Sequence, residues 1–257
     1  MARISDARIE PLCPAVPDEV VVRFRGSDGR FVDTTLDRLP ADEVLAGLPV
    51  RVFRWYRGRR HYSGWYWAVS TGGHVVYESR LELARIVLAD RDPDVAVFAA
   101  QPVWLAGIDE GRVRRHVPDL LLAHRDGRLT FVDVKASSRL ADERVAAQFA
   151  WMRRVCDRFG FGFEVWSGVD PVLLENVRFL AGYRAPALIR GELLDAVLAA
   201  ARERTPLGQV ERAAAGGLDR RWVRPVVLHA LWRGLLEADL SGPLDVSTPV
   251  VAVGGAR

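Results

Sequence analysis

An aspartate and a lysine two positions apart, Asp133 and Lys135, close an apolar segment that begins at Leu129. Successive side chains of a β-strand point to opposite faces, so the two polar side chains would share one face if this segment is a strand. A carboxylate and an ammonium on one face of an apolar strand destabilise the fold unless they pair with other groups or take part in function. This pair is therefore the first candidate for chemistry.

A second carboxylate, Asp119, stands at the start of the apolar run 120–123, and a five-residue turn follows that run. The turn carries an Asp-Gly signal, which predicts antiparallel pairing of the two apolar segments and brings Asp119 near Asp133 and Lys135. Two carboxylates and an ammonium suit one or two Mg²⁺ ions and an attacking water. A structural ion pair is the alternative, because acids make up 33 of the 257 residues.

Lys135 is the single lysine among 36 basic residues. A GC-rich genome would explain the excess of arginine, and arginine then fills the surface roles of lysine. Lysine differs from arginine in being a compact ammonium with a tunable pKa. The composition therefore suggests a role for Lys135 that arginine cannot fill, with chance persistence as the alternative.

A third carboxylate is expected from the helix predicted over residues 77–90. Glu78 and Glu82 are four positions apart and would share a face of that helix. Ser79 and Glu82 also fit a capping box, in which Ser79 is the N-cap and Glu82 the third helical residue. Capping and metal binding compete for Glu82, which leaves Glu78 open as the ligand.

Six short segments resemble, in the same order, those of TnsA, the endonuclease subunit of heteromeric Tns-type transposases in the PD-(D/E)xK nuclease superfamily. The resemblance covers roughly residues 70 to 185 and rests on segments 79–84, 101–102, 118–121, 132–135, 140–144 and 175–180. It implies that Glu82, Asp119 and Asp133 bind metal and that Lys135 completes the catalytic set. It thereby favours Glu82 over Glu78. Some family members have Gln at the position of Asp133.

The same resemblance implies an Mg²⁺-dependent endonuclease, with Mn²⁺ as a substitute metal, that cuts the 5′ strands of double-stranded DNA at transposon ends. It also implies two partners, a DDE-type transposase that cuts and joins the 3′ strands and an AAA-type ATPase regulator. One alternative is a stand-alone PD-(D/E)xK restriction or repair nuclease. Another is a catalytically silent DNA-binding adaptor, which the complete set of four residues disfavours.

The elements predicted around these residues indicate an α/β fold, a restriction-endonuclease-like mixed sheet flanked by helices. Strands are predicted at 20–25, 30–34, 95–105 (interrupted at 101–102), 117–123, 129–136 and 161–166, and helices at 39–48, 77–90 and 141–159. Gln148, on the last of these helices, is interpreted as ordinary helix surface.

A change of pattern near residues 183–186 predicts a small C-terminal winged-helix-like domain. Its helices are predicted at 192–204, 207–214 and 219–237, and its β wing at 239–243 and 246–251. The third helix would be the recognition helix, with Arg220, Arg221 and Arg224 near its start. A protein-docking helical domain with solvated arginines is the alternative.

The remaining N-terminal region ends in a stretch, 51–67, that interleaves arginines with aromatic residues. This pattern suits DNA contact, with Arg57, Arg59 and Arg60 as candidates, or alternatively a packed β segment. The predicted domains are therefore 1–66, a β-rich basic-aromatic extension, 67–185, the nuclease core, and 186–257, the winged-helix-like domain.

The amino-acid composition and the hydrophobic pattern exclude several other classes of protein. Two cysteines among 257 residues exclude a disulfide framework and a Cys-rich zinc site. The longest uncharged apolar run, 95–108, is too short to span a bilayer, and the N-terminus lacks a signal pattern, so the protein is expected to be cytoplasmic. A net charge of +3 permits nucleic-acid binding without requiring it.

Overall fold

The computed structural model describes residues 12–51 and 62–254, and these ranges contain thirteen β-strands and seven α-helices. The strands are β1 (Val20–Arg25), β2 (Phe31–Thr35), β3 (Gly64–Ala68), β4 (Gly73–Tyr77), β5 (Val95–Ala100), β6 (Val103–Asp109), β7 (Arg112–His116), β8 (Leu120–His124), β9 (Leu129–Val134), β10 (Gly162–Trp166), β11 (Thr205–Pro206), β12 (Leu236–Ala238) and β13 (Pro249–Ala252). The helices are α1 (Ala41–Leu45), α2 (Arg80–Arg91), α3 (Glu143–Phe159), α4 (Pro171–Ala181), α5 (Gly191–Ala200), α6 (Leu207–Ala215) and α7 (Arg220–Trp232).

The chain divides into two compact units that interleave along the sequence. The first contains residues 1–64 and 97–166, and the second contains residues 65–96 and 167–257. These units are groups of residues in mutual contact. The three domains predicted from the sequence are regions expected to fold independently, which is a different property. Their boundaries therefore stay a prediction.

Two four-stranded sheets form the first unit. One has the strand order β2-β1-β6-β7 and the other the order β10-β9-β8-β5. In the second sheet β8 and β9 are antiparallel, whereas β9 and β10 are parallel and α3 lies between them in the chain. The sheet is therefore mixed, and the α/β architecture is consistent with a nuclease-like fold.

Because side chains alternate between the two faces of a strand, one face of each strand can be buried, and the buried faces form the core of the first unit. Val22 and Phe24 of β1 are almost fully buried, and they belong to one apolar cluster with Leu121 of β8, Phe131 of β9 and Met152 of α3. Full burial of a side chain of this size stabilises the fold by about 1.5–3 kcal/mol. The strands that carry Asp119 and Asp133 thus have a rigid support.

Strand β7 was not predicted from the sequence, because it reads Arg-Val-Arg-Arg-His and lacks apolar alternation. Its position is set by the turn before it, where Glu110 and Gly111 both have positive φ angles of 50° and 75°. That conformation suits a tight antiparallel hairpin between β6 and β7. Asp109 then pairs with Arg114 at 2.5 Å and with Arg154 of α3 at 2.6 Å.

Local signals fix both ends of α3. The side chain of Asp142 accepts a hydrogen bond from the Arg144 N–H at 3.0 Å, as an N-cap does. Gly160 ends the helix with a φ of 77°, a left-handed conformation that glycine adopts without steric cost. The predicted end of this helix at Gly160 is confirmed.

The second unit contains the β3–β4 hairpin, the helices α2, α4, α5, α6 and α7, and a three-stranded sheet of order β11-β13-β12. Asn176 of α4 donates both amide hydrogens, to the carbonyls of Leu240 at 2.9 Å and Gly242 at 2.7 Å. These bonds tie α4 to the loop that follows β12.

Two predicted boundaries in this unit are wrong, for one physical reason. The third C-terminal helix was expected to reach residue 237, but it ends at Trp232. Gly234 has a φ of 66°, and the Leu235 N–H bonds the Ala230 carbonyl at 2.9 Å, which is a Schellman motif. The first wing strand therefore starts at Leu236, and the segment predicted as that strand is a loop.

Among the described residues, none of the helices combines the length and the apolar character needed to cross a bilayer.

Candidate active site

The hairpin of β8 and β9 brings Asp119 to Asp133, as the sequence predicted. Leu120 pairs with Val132 in the antiparallel register. The Asp119 N–H donates to the Val132 carbonyl at 3.0 Å, and Asp119 Oδ2 accepts from the Val134 N–H at 2.6 Å. Hydrogen bonds therefore hold Asp119 to the residues on both sides of Asp133.

Asp133 is buried, and a histidine holds its carboxylate. The side chain of Asp133 is 3% exposed, and His116 Nε2 lies 2.8 Å from both of its oxygens. A buried carboxylate requires a hydrogen-bond donor or a cation, because the loss of hydration is otherwise uncompensated. His116 ends β7, so a strand that was not predicted from the sequence supplies the partner of Asp133.

The negative charge of Asp133 also acts on Cys156 of α3. Burial, and after it the charge of Asp133, raises the pKa of the Cys156 thiol to about 12. The thiol is therefore protonated at neutral pH, and since the thiolate is the nucleophilic form, Cys156 is not a candidate nucleophile.

Lys135 follows β9 directly. Its backbone N–H donates to the Trp166 carbonyl at 2.9 Å, which continues the pairing of β9 with β10 beyond the last strand residue. Within residues 12–51 and 62–254 the structure gives its ammonium no hydrogen bond or ion pair. The alternative interpretation, a structural Asp–Lys ion pair, is not what the structure shows, because Asp133 pairs with His116.

Glu82 belongs to the second unit and forms the predicted capping box. Its N–H donates to Ser79 Oγ at 3.0 Å, its Oε1 accepts from Ser79 Oγ at 2.9 Å, and its Oε2 accepts from the Glu78 N–H at 2.8 Å. Both carboxylate oxygens thus cap α2. The assignment of Glu82, or alternatively Glu78, as a metal ligand stays a prediction.

Within the described ranges no group of three or more His, Cys, Asp or Glu side chains is arranged to hold a metal ion. Asp119 and Asp133 supply carboxylate oxygens, the ligand type that Mg²⁺ prefers. In this structure Val134 and His116 occupy oxygens of these two groups.

Three residues of the first unit carry features that were not predicted from the sequence. His116 stands three positions before Asp119, and only the pairing of β7 with β6 places it on Asp133. The side-chain nitrogen of Gln148 is buried without a partner among the described residues, so Gln148 is not ordinary helix surface. Gln101 is 2% exposed, and its backbone N–H donates to the Asp119 carbonyl at 2.8 Å.

Two of the three arginines proposed for the C-terminal recognition helix converge on one buried acid. Glu211 of α6 is fully buried, and it bonds Arg220 at 2.7 Å and Arg224 at 2.7 Å. Arg221 pairs with Asp219, the N-cap of α7, at 2.8 Å. The side chains of Arg220 and Arg224 keep nearly half of their surface exposed, 47% and 48%.

The β3–β4 hairpin presents aromatic rings to solvent. Trp65 and Trp67 are 57% and 46% exposed, and His74 contacts both rings edge to face. Tyr66, which points to the other face, is buried and donates to Asp90 at 2.9 Å. The candidates Arg57, Arg59 and Arg60 lie outside the described residues.

An acidic pair on adjoining strands of a mixed sheet, followed by a lysine, is consistent with a nuclease. Residues 92–168 match the family model of the TnsA-like endonuclease N-terminal domain, and this match supports a TnsA-like nuclease. The matched segment contains Asp119, Asp133 and Lys135, while Glu82 precedes it. A family of this kind implies a DNA substrate and Tn7-type transposase partners. A comparison with curated proteins found no match.

Proposed function

We propose that this protein is the endonuclease subunit of a heteromeric transposase and cleaves the 5′ strands at transposon ends. The observation that carries the proposal is the bonding of Asp119 to both neighbours of Asp133, inside the segment that matches the TnsA-like endonuclease domain. Phosphodiester hydrolysis adds water to phosphorus and breaks the bond to one ester oxygen, which then takes a proton.

Each residue of the proposed site has a separate role in this reaction. Asp119 and Asp133 would hold Mg²⁺, or Mn²⁺ in its place, with Glu82 as the third ligand implied by the family. When bound, the metal supplies a Lewis acid and lowers the pKa of a bound water. Lys135 orients the attacking water and stabilises the negative charge that develops on the phosphoryl oxygens. His116 orients the carboxylate of Asp133 by its two contacts of 2.8 Å.

The proposed partners are a DDE-type transposase, which processes the 3′ strands, and an AAA-type ATPase regulator. Genes for both proteins beside the gene of this chain would support the assembly. Their absence from the neighbourhood would favour a stand-alone nuclease.

Strand-specific nicking tests the function. The substrate is a duplex that carries the terminal sequence of the element, with a different label on each strand. It is incubated with Mg²⁺ and a partner transposase whose catalytic acids have been replaced, so that the partner assembles without cutting the 3′ strand. We expect cuts in the 5′ strand alone, and none in EDTA. Cuts in both strands without the partner would favour a stand-alone nuclease, and binding without any cut would favour a silent adaptor.

The stretch from Arg51 to Tyr77 supports a DNA-binding surface beside this activity. It contains five arginines and no acidic residue. The exposure of Trp65 and Trp67 argues against the alternative in which the stretch only packs internally. Arginines neutralise phosphates, and exposed rings stack on bases, so the combination suits DNA.

The triple variant Arg57→Ala, Arg59→Ala, Arg60→Ala tests this surface. Each lost phosphate contact should reduce the slope of log affinity against log salt concentration by about one unit, for every DNA sequence. Fluorescence anisotropy at several salt concentrations measures the slope. The control variant, Arg30→Ala, Arg38→Ala, Arg128→Ala, removes the same charge from arginines that pair with neighbouring aspartates. Equal slopes for the two triple variants would contradict a specific surface.

The C-terminal elements support the proposal of a winged helix. Three helices and three short strands follow in the order α5, β11, α6, α7, β12, β13, and the strands form one sheet. In this proposal α7 enters the DNA major groove, and Arg220, Arg221 and Arg224 contact DNA. Glu211 would hold Arg220 and Arg224 in place while leaving part of each guanidinium exposed.

Glu211→Ala is expected to lower the free energy of unfolding by about 2 kcal/mol at pH 7. Removing one partner of a buried ion pair usually lowers the free energy of unfolding by more than this. Here the loss is smaller because the two arginines can regain contact with water. Burial opposes ionisation of Glu211, yet the guanidinium groups of Arg224 and Arg220 outweigh it and hold the pKa of this carboxyl below its usual range.

The same pKa shift sets the pH dependence of that loss. Because the pKa is lower in the folded state, the stabilisation is present above the unfolded pKa of about 4.3 and disappears as the pH falls through the folded value. Urea unfolding of wild type and Glu211→Ala at pH 7 and at about pH 2, below the lowered pKa of the folded state, measures the difference. A loss that is as large at about pH 2 as at pH 7 would show that packing, rather than charge, explains the role of Glu211.

A further inference from the structure

Gln101 combines a strained backbone with a buried and unsatisfied side chain. Its φ is 47°, in the left-handed region that glycine favours and that other residues adopt at a cost. It also precedes Pro102, and a residue before proline is restricted to extended conformations. The residue is 2% exposed, and its Oε1 has no hydrogen-bond partner in the described part of the chain.

Each of these features destabilises the folded state. Left-handed backbone at a residue other than glycine persists only where the surrounding structure enforces it, and a buried acceptor without a donor loses its hydration. Glu110 is the only other such residue with a positive φ among those described, and it lies in an exposed hairpin turn, where that conformation is ordinary. The position of Gln101 between two strands of the first unit has no such local explanation.

The hydrogen bonds of Gln101 connect it to the candidate active site. Its N–H donates to the Asp119 carbonyl at 2.8 Å, and its carbonyl accepts from the Val50 N–H at 3.0 Å. Asp119 in turn is bonded to Val132 and Val134, the neighbours of Asp133. The strained residue therefore supports the main chain that carries Asp119.

We infer that Gln101 is a positioning residue of the nuclease reaction: its left-handed backbone fixes Asp119, and its buried Oε1 is the acceptor for an ordered water of the reaction site. The inference rests on the proposed function. Strain and unsatisfied polar groups are retained in folded proteins mainly where function requires them. A substitution at Gln101 should therefore lower the rate of cleavage without lowering the stability of the fold.

Gln101→Met separates the effect on stability from the effect on cleavage by changing the side chain alone. Methionine has nearly the same length, keeps the backbone requirement and removes the buried oxygen. In EDTA, without metal, we expect the thermal midpoint to equal or exceed that of wild type, and the Kd for DNA to stay within about twofold. In Mg²⁺ we expect the single-turnover nicking rate to fall by about a hundredfold, the scale for losing one positioned hydrogen-bonding group.

Gln101→Gly removes the same oxygen while keeping the left-handed backbone, because glycine adopts a positive φ without strain and retains the N–H that bonds the Asp119 carbonyl. The nicking rate should therefore fall as in Gln101→Met, through the loss of Oε1. Glu110→Gly is the matched control, since it relieves the same conformation away from Asp119. It should keep the wild-type rate.

Three results would overturn the inference. One is a Gln101→Met protein that nicks at the wild-type rate. Another is a variant whose stability and nicking rate fall together, which would make Gln101 a structural residue. The third is a wild-type protein that binds DNA but never nicks it, which contradicts the proposed function itself, and the Gln101 inference with it. Normal nicking by both wild type and Gln101→Met leaves the nuclease function intact and removes only the inference.

Discussion

Asp119→Asn is expected to reduce strand cleavage at least about a thousandfold, because several kcal/mol of charge stabilisation depend on this carboxylate. The substitution keeps the size of the side chain and an oxygen that can accept from the Val134 N–H, as Asp119 Oδ2 does at 2.6 Å. Folding should therefore change by about 1 kcal/mol or less. Single-turnover nicking of a labelled transposon-end duplex in Mg²⁺ measures the first effect, and urea unfolding measures the second.

Asp126→Asn is the matched control for this experiment. Asp126 lies on the turn of the same hairpin, 55% exposed and paired with Arg128, so its loss should leave cleavage unchanged. Asp119→Ala should show the same loss of cleavage as the asparagine variant, with an additional loss of stability from the missing Val134 bond. Wild-type cutting by Asp119→Asn would refute the metal-site assignment of this strand pair.

Lys135→Arg is expected to preserve the fold and DNA affinity and to lower cleavage by roughly a hundredfold or more. The chain places arginine at 35 of its 36 basic positions, so a site that needs only positive charge would accept arginine. An ammonium can point a single donor at one oxygen, whereas guanidinium is a planar fork. Because the Lys135 ammonium makes no ion pair within the described ranges, no structural partner offers another reason for lysine.

Arg128→Lys, the reverse exchange on the same hairpin, is the control for this variant and should nick at the wild-type rate. DNA affinity measured in EDTA separates binding from chemistry, since only the rate should change. If Lys135→Arg nicks as fast as wild type, Lys135 is a cation without a positioned role in the reaction. The catalytic assignment of β9 would then depend on the carboxylates alone.

The local parts of the site were predictable because short-range signals encode them. The apolar segments around the Asp-Gly turn predicted the hairpin of β8 and β9, and with it the approach of Asp119 to Asp133. Ser79 and Glu82 form the predicted capping box. Each of these features depends on residues a few positions apart, or on two strands joined by one turn. Their geometry therefore follows from local backbone preferences.

Tertiary structure alone decided which groups surround these residues. His116 bonds Asp133 only because β7, a strand without apolar alternation, pairs with β6 and ends beside β9. Gln101 has its left-handed backbone where its main chain bridges Val50 and Asp119, which are far apart in sequence. Glu211 is buried between two arginines of another helix. Hydrogen bonds and charges of this kind are set by long-range packing, which no local pattern of the sequence specifies.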